Sequence, residues 1–162
     1  MPASHETRPV YLPADRRMVI AMRDSGVLVD AEGRAATDAF AAGLGLDPHD
    51  RDDAEEADYR ALRAAADEAL ARGGSGARWV VAARVGADRV TDTGMPDDGR
   101  VRIGEVRWAQ VSALFVDEPA AVPVVNRARA DLAAGDAAGA RNILDEQELL
   151  WYAPGELDDI EG

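Results

Sequence analysis

The chain has 162 residues and no cysteine, and its 31 acidic residues outnumber 18 basic ones, all arginine, to give a formal net charge of −13. The composition excludes disulfides and thiolate chemistry, and the negative charge argues against binding to nucleic acid or an anionic membrane. No apolar run approaches the roughly 20 residues that cross a bilayer, and the first residues lack the apolar core of a signal peptide. We therefore expect a soluble, cytoplasmic protein.

This length favours a single domain with a sizeable core. We predict a disordered lead over residues 1–7, one α+β domain over residues 8–157 with a helical insertion at about 35–72, and an acidic tail over residues 158–162.

The first part of the chain alternates short apolar runs with helical periodicity. A strand is predicted at 8–13, with Tyr11 facing away from Val10 and Leu12. A helix follows over 14–24 and ends at Gly26, and a short strand is predicted at 27–29.

The insertion is predicted to hold two helices. The first covers 35–42, and the second covers about 52–72, with acids in its first turn, where the helix dipole favours them. The expected buried stripe of the long helix consists of Tyr59, Leu62, Ala66, Ala69 and Leu70.

The second part begins after a glycine-rich linker at 73–76. Residues 78–85 are apolar on both faces, which is typical of a strand in the centre of a sheet. An edge strand is expected at 100–103, a helical turn that buries Trp108 at 106–111, a strand at 113–116, a helix from Pro119, a short helix or turn at 136–142 and a closing strand at 149–152. This order predicts a ferredoxin-like two-layer α+β sandwich, with helices packed on a mixed or antiparallel sheet.

Sequence motifs of catalysis are missing. There is no phosphate-binding loop, dinucleotide fingerprint, zinc-protease helix or nucleophile elbow. We interpret His5 and His49 as solvated side chains. Residues 73–76 are interpreted as a flexible linker rather than a phosphate-binding loop. The acids from Asp50 to Glu56 are interpreted as the start of a helix rather than a calcium-binding loop. No cofactor and no metal are predicted.

Asp117 and Glu118 follow a strand, where catalytic carboxylates often lie, but capping the helix that Pro119 begins is the simpler interpretation. The arginines at 8, 16, 17 and 23 form a basic patch that could bind an anion. Pairing with Asp158, Asp159 and Glu161 is favoured instead. Trp79 and Trp108 are expected in the core.

The closing segment from Leu149 to Leu157 holds an aromatic pair beside two leucines. Core closure is favoured for Trp151 and Tyr152, with an exposed partner anchor as the alternative. Together with Val10 to Pro13 and with Trp108, Val111 and 115–117, this segment resembles a family of uncharacterised small actinobacterial proteins. The resemblance implies a cytoplasmic protein and transfers no functional residue. Pro154 stands where the family pattern would have threonine or a similar residue.

The leading functional hypothesis is a non-enzymatic binding or regulatory module that binds a protein partner or a second copy of itself. Its expected surface comprises Trp151, Tyr152, Glu156, Asp158, Asp159, Arg16 and Arg17. One alternative is a small hydrolase or ligand-binding protein that uses Asp117 and Glu118 together with an arginine of the first helix. Another is an acidic mimic of nucleic acid. No nucleic acid or membrane is expected as a partner.

Overall fold

A computed structural model describes residues 6–72, 76–93, 95 and 97–161, and its fold is α+β. The strands are β1 (Thr7–Ala14), β2 (Val27–Arg34), β3 (Trp79–Gly86), β4 (Thr91–Asp92), β5 (Arg100–Arg107), β6 (Val111–Asp117) and β7 (Leu149–Tyr152). The α-helices are α1 (Arg16–Ser25), α2 (Asp38–Gly43), α3 (Arg51–Ala71), α4 (Val122–Ala133) and α5 (Ala137–Leu144). Short 3₁₀ turns lie at Ala87–Arg89, Trp108–Gln110, Pro119–Ala121 and Pro154–Asp159.

The seven strands form one open antiparallel sheet in the order β4-β5-β2-β1-β3-β6-β7. Strands β4, β5 and β2 form one part of this sheet, and β1, β3, β6 and β7 form the other. The two parts are joined where β1 pairs with β2, and there Tyr11 lies opposite Arg34. A Cβ atom on Gly33 would collide with the carbonyl oxygen of Tyr11, so only glycine allows the two strands to approach this closely. The pairing of β1 with β2, which joins the two parts of the sheet, therefore requires glycine at position 33.

The main core lies on the sheet face that carries Val10, Leu12 and Leu114, which we call the α1 face. Helix α1 packs Val19 and Met22 into this core, and residues of β2 and β5 complete it. The chain end reaches the same core, because Leu157 and Ile160 are buried there. The segment expected to be an acidic tail is thus docked at least as far as Ile160.

Helix α3 covers part of the opposite face, which we call the α3 face. Its alanines at 61, 65 and 66 pack against Tyr11, Val80 and Ala82, and Phe40 of α2 joins them. A third cluster holds α4 and α5 against Leu70 at the end of α3. Small residues along α3 allow the helix to lie close to the strands.

Capping explains where the helices begin and end. The Asp15 side chain accepts a hydrogen bond from the backbone N–H of Met18 at the start of α1, and Gly26 ends the helix with φ 82°. Asp50 caps α3 in the same way through the N–H of Asp53. The acids before α3 therefore start a helix, as predicted.

The α+β class and the sheet with helices packed on it are confirmed, and β3 lies between β1 and β6 as a central strand. Other expectations need correction. The strand predicted at 100–103 continues to Arg107 and pairs on both sides, because β4 forms the edge. Tyr59 is exposed rather than buried. Thr7 already belongs to β1, whereas His5 and residues 73–75 lie outside the described residues.

Candidate binding site at the β7 edge and the adjoining pocket

Strand β7 ends the sheet, and its side chains are unevenly buried. Trp151 is 59% exposed and Leu150 is 40% exposed, whereas Tyr152 packs against the main core. Core closure is therefore correct for Tyr152 and wrong for Trp151. The physical reason is that α3 covers the sheet near Leu149 and leaves the indole of Trp151 uncovered.

The outer edge of β7 exposes backbone hydrogen-bonding groups. The N–H of Asp117 donates to the carbonyl of Arg78 at 3.2 Å, so residue 117 turns its backbone groups towards β3. Antiparallel strands alternate the direction of these groups, which turns those of Val116 towards its partner Leu150 in β7. The N–H and C=O groups of Leu149 and Trp151 consequently point away from the sheet.

Acidic residues flank this strand along the chain. The segment from 145 to 161 holds seven exposed carboxylates and no arginine: Asp145, Glu146, Glu148, Glu156, Asp158, Asp159 and Glu161. Some have partners within the chain. Asp145 lies 3.5 Å from Arg63, and Glu156 accepts a hydrogen bond from the N–H of Ala153 at 2.7 Å. Exposed acidic residues thus lie on both sides of the apolar edge strand along the chain.

The predicted basic patch on α1 pairs with the chain end. Arg23 forms an ion pair of 2.7 Å with Asp158, and Arg16 donates to the carbonyl of Ile160 at 2.7 Å. Arg17 is exposed on the same helix. The predicted pairing with the terminal acids is therefore correct for Arg23, whereas Arg16 contacts a backbone carbonyl of the same segment.

A pocket of about 280 Å³ opens on the α3 face next to β7. Its floor is formed by Ala82 and Ala113, which lie opposite each other on β3 and β6. Aromatic rings of Tyr11, Phe115 and Trp151 border the floor. Small residues beneath large ones leave a hollow in an otherwise continuous sheet surface.

Two opposite charges face this pocket, Asp58 from α3 and Arg84 from β3. Burial raises the pKa of the Asp58 carboxyl above its ordinary value, and the guanidinium groups of Arg84 and Arg8 oppose this rise. Burial likewise raises the pKa of the Tyr11 phenol, and the charge of Asp58 adds to that rise. The pocket environment therefore disfavours negative charge on both side chains.

Asp58 forms no ion pair within 4.0 Å of Arg84 or Arg8 in the part of the chain that the structure describes. Arg84 donates instead to the hydroxyl of Thr7 at 3.3 Å. Both charges thus remain accessible from the pocket.

A second cavity of about 490 Å³ lies on the other side of Asp58 and Pro9. Arg8, Asp38 and His49 line it. The histidine predicted to be solvated in a linker is exposed, yet it borders this cavity. Among the residues with described positions, no group of His, Asp and Glu side chains could hold a metal ion.

Asp117 has a role that neither sequence interpretation foresaw. Its carboxylate pairs with Arg78, accepting from Nη2 at 2.8 Å, from Nε at 3.0 Å and from the backbone N–H at 2.7 Å. Both side chains are 0% exposed. Asp117 does not cap the following turn, and Glu118 supplies no side-chain cap either. The carboxylates of the predicted hydrolase site therefore do not face a cleft together.

A family model for a family of unknown function, DUF6912, matches residues 8–160. The chain belongs to this family. The expected membership of an uncharacterised family is thereby confirmed. No curated protein and no solved structure matches the chain.

In this DUF6912 protein, Trp151 was among the candidate residues predicted from the sequence, whereas Asp58 and Arg84, which line the pocket, were not. Alternation in β1 did place Tyr11 on the face opposite Val10 and Leu12, which is where the pocket lies. The sequence signal for Asp58 was its position directly after Ala57, on the side of α3 that faces the sheet.

Within the described residues, no helix has the length and apolar character to cross a bilayer.

Proposed function

We propose that the protein is a non-enzymatic binding module that adds an extended segment of a basic protein partner to the outer edge of β7. The observation that carries this proposal is the open edge strand with an exposed Trp151, flanked along the chain by seven exposed carboxylates. An added strand would bond with the outward N–H and C=O groups of Leu149 and Trp151.

Charge supports a basic partner over a second copy. A two-fold pairing of β7 with β7 would bring two copies of the acidic segment 145–161 together, and each chain carries a net charge of −13. Like charges at an interface oppose association, whereas a segment rich in Arg or Lys would be attracted. The indole of Trp151 offers the large rigid contact area typical of binding hot spots.

Acids and Pro154 beside an edge strand also have a protective role, because they discourage unwanted pairing between sheets. Protection alone does not account for an exposed tryptophan, which adds apolar surface to that same edge. A binding surface accounts for both the charge and the indole.

The test is affinity capture from an extract of the source organism with the native chain and with Trp151→Pro. Proline removes the outward N–H and the indole, while the hydrogen bonds of β7 to β6 do not use that N–H. Trp151→Ala removes the indole but keeps the outward N–H, so it tests the contribution of the side chain alone. Val29→Ser is the control, because it changes a 62% exposed apolar residue of β2, away from β7.

We expect the native chain and Val29→Ser to retain the same basic protein, Trp151→Ala to retain less of it, and Trp151→Pro to retain none. Binding should weaken as salt is raised, because charges attract the partner. The proposal is overturned if all four chains capture the partner equally, or if β7 mediates only the association of the protein with a second copy of itself.

A further inference from the structure

The pocket beside β7 combines features that strand addition does not use. Its alanine floor and aromatic border could hold an apolar body, and Asp58 and Arg84 place opposite charges at its rim without pairing directly. A volume of about 280 Å³ is at the low end for small-molecule sites, which commonly reach about 300–1,000 Å³. Any ligand of this pocket is therefore small.

The two charges restrict the class of ligand. A simple cation would gain Asp58 but would lie near the guanidinium of Arg84. A simple anion would gain Arg84 but would meet both the Asp58 carboxylate and the net charge of −13. A molecule that carries both charges satisfies each side chain, because its positive end faces the carboxylate and its negative end faces the guanidinium.

Asp58 itself favours such a ligand. Its carboxylate is partly removed from water, and in the described part of the chain Arg84 and Arg8 act on it only from beyond ion-pair distance. An ammonium group beside it would supply the missing counter-charge and hydrogen-bond donors. The aromatic rings of Tyr11 and Phe115 would border the apolar part of the same ligand, and an ammonium near an aromatic face is also stabilised electrostatically.

We propose that this pocket is a binding site for a small zwitterion of the α-amino acid type with an apolar or aromatic side chain. The ammonium group contacts Asp58, the carboxylate contacts Arg84, and the side chain lies over Ala82 and Ala113 between the aromatic rings. This site is separate from the outer edge of β7, although Trp151 borders both.

Isothermal titration calorimetry with L-phenylalanine tests the site. Phenethylamine lacks the carboxylate and 3-phenylpropionate lacks the ammonium, so the three probes separate the two contacts. Asp58→Asn and Arg84→Gln remove the charges one at a time. Asp52→Asn on α3 and Arg89→Gln beyond β3 are matched changes at exposed residues outside the pocket.

We expect L-phenylalanine to bind the native chain and both control variants with the same affinity. Each pocket variant should weaken it at least about tenfold, as expected for the loss of a charged hydrogen bond. Arg84→Gln should leave the weaker binding of phenethylamine unchanged or improve it. Asp58→Asn should not weaken 3-phenylpropionate.

The proposal is overturned if L-phenylalanine does not bind, if it binds no more tightly than phenethylamine and 3-phenylpropionate, or if the pocket variants behave like the controls. Each variant is first checked for its native unfolding transition. Asp58→Asn and Arg84→Gln leave the outer edge of β7 intact, so they should capture the protein partner normally. Loss of amino acid binding and loss of partner capture can therefore be told apart.

Discussion

The substitution Asp117→Asn should destabilise the protein strongly, because it breaks a fully buried ion pair. The carboxylate accepts three hydrogen bonds of 2.7–3.0 Å from Arg78, and both side chains are 0% exposed. The amide would present N–H donors to a guanidinium that has lost its counter-charge. Removing one partner of a buried pair costs about 3–5 kcal/mol of unfolding free energy.

That cost is a large share of the about 5–15 kcal/mol by which folded domains are usually stable. Urea denaturation followed by circular dichroism measures it, and the melting temperature should fall by about 10 °C. The double variant Arg78→Met/Asp117→Leu removes both charges and should recover most of the loss, because no unpaired charge stays buried.

A loss below about 1 kcal/mol in Asp117→Asn, the range of exposed ion pairs, would refute this reasoning. Failure of the double variant to recover stability would show instead that hydrogen-bond geometry outweighs charge. Nη1 of Arg78 has no hydrogen-bond partner among the described residues, so the pair already contains one uncompensated donor.

Gly33→Ala should cost about 1–3 kcal/mol in chemical denaturation because its Cβ would collide with a carbonyl oxygen of β1, whereas Gly155→Ala, with open space, should change little. Asp58→Asn should raise the melting temperature at pH 7 and lose this advantage on acidification, since an acid with a raised pKa in the folded state destabilises that state only when ionised; a pH-independent difference would contradict this. Trp79→Ala, at 2% exposure, should cost about 3–5 kcal/mol, and Trp151→Ala, at 59%, clearly less.

Local patterns in the sequence predicted what depends on local physics. The helix stop at Gly26 follows from the need for a left-handed residue, and φ is 82° there. The central position of β3 follows from apolar residues on both of its faces, since a strand buried on both sides cannot alternate with polar residues. These features depend only on residues that are close in sequence, so they could be predicted from the sequence alone.

The site depends on distant residues, which no local pattern reports. Arg78 and Asp117 are 39 positions apart and meet only because β3 pairs with β6. Asp58 and Arg84 likewise meet at the pocket only because α3 crosses β3. An exposed acid on a helix and an exposed arginine on a strand look alike in sequence whether or not they face a common hollow.

Trp151 illustrates why burial was predicted wrongly. All four residues of β7 are apolar or aromatic, so their alternation does not reveal which face is covered. Coverage depends on where α3 crosses the sheet, which follows from the packing of alanines in the middle of that helix against β1 and β3. The same crossing leaves the indole of Trp151 uncovered.

Amide hydrogen exchange in β7 tests the proposed strand addition most directly. In the dilute isolated protein, the outward N–H groups of Leu149 and Trp151 should exchange rapidly, whereas those of Leu150 and Tyr152, bonded to β6, should exchange slowly. With the captured basic partner at saturation, Leu149 and Trp151 should become slow as well. Rapid exchange at both positions in the saturated complex would contradict strand addition at β7.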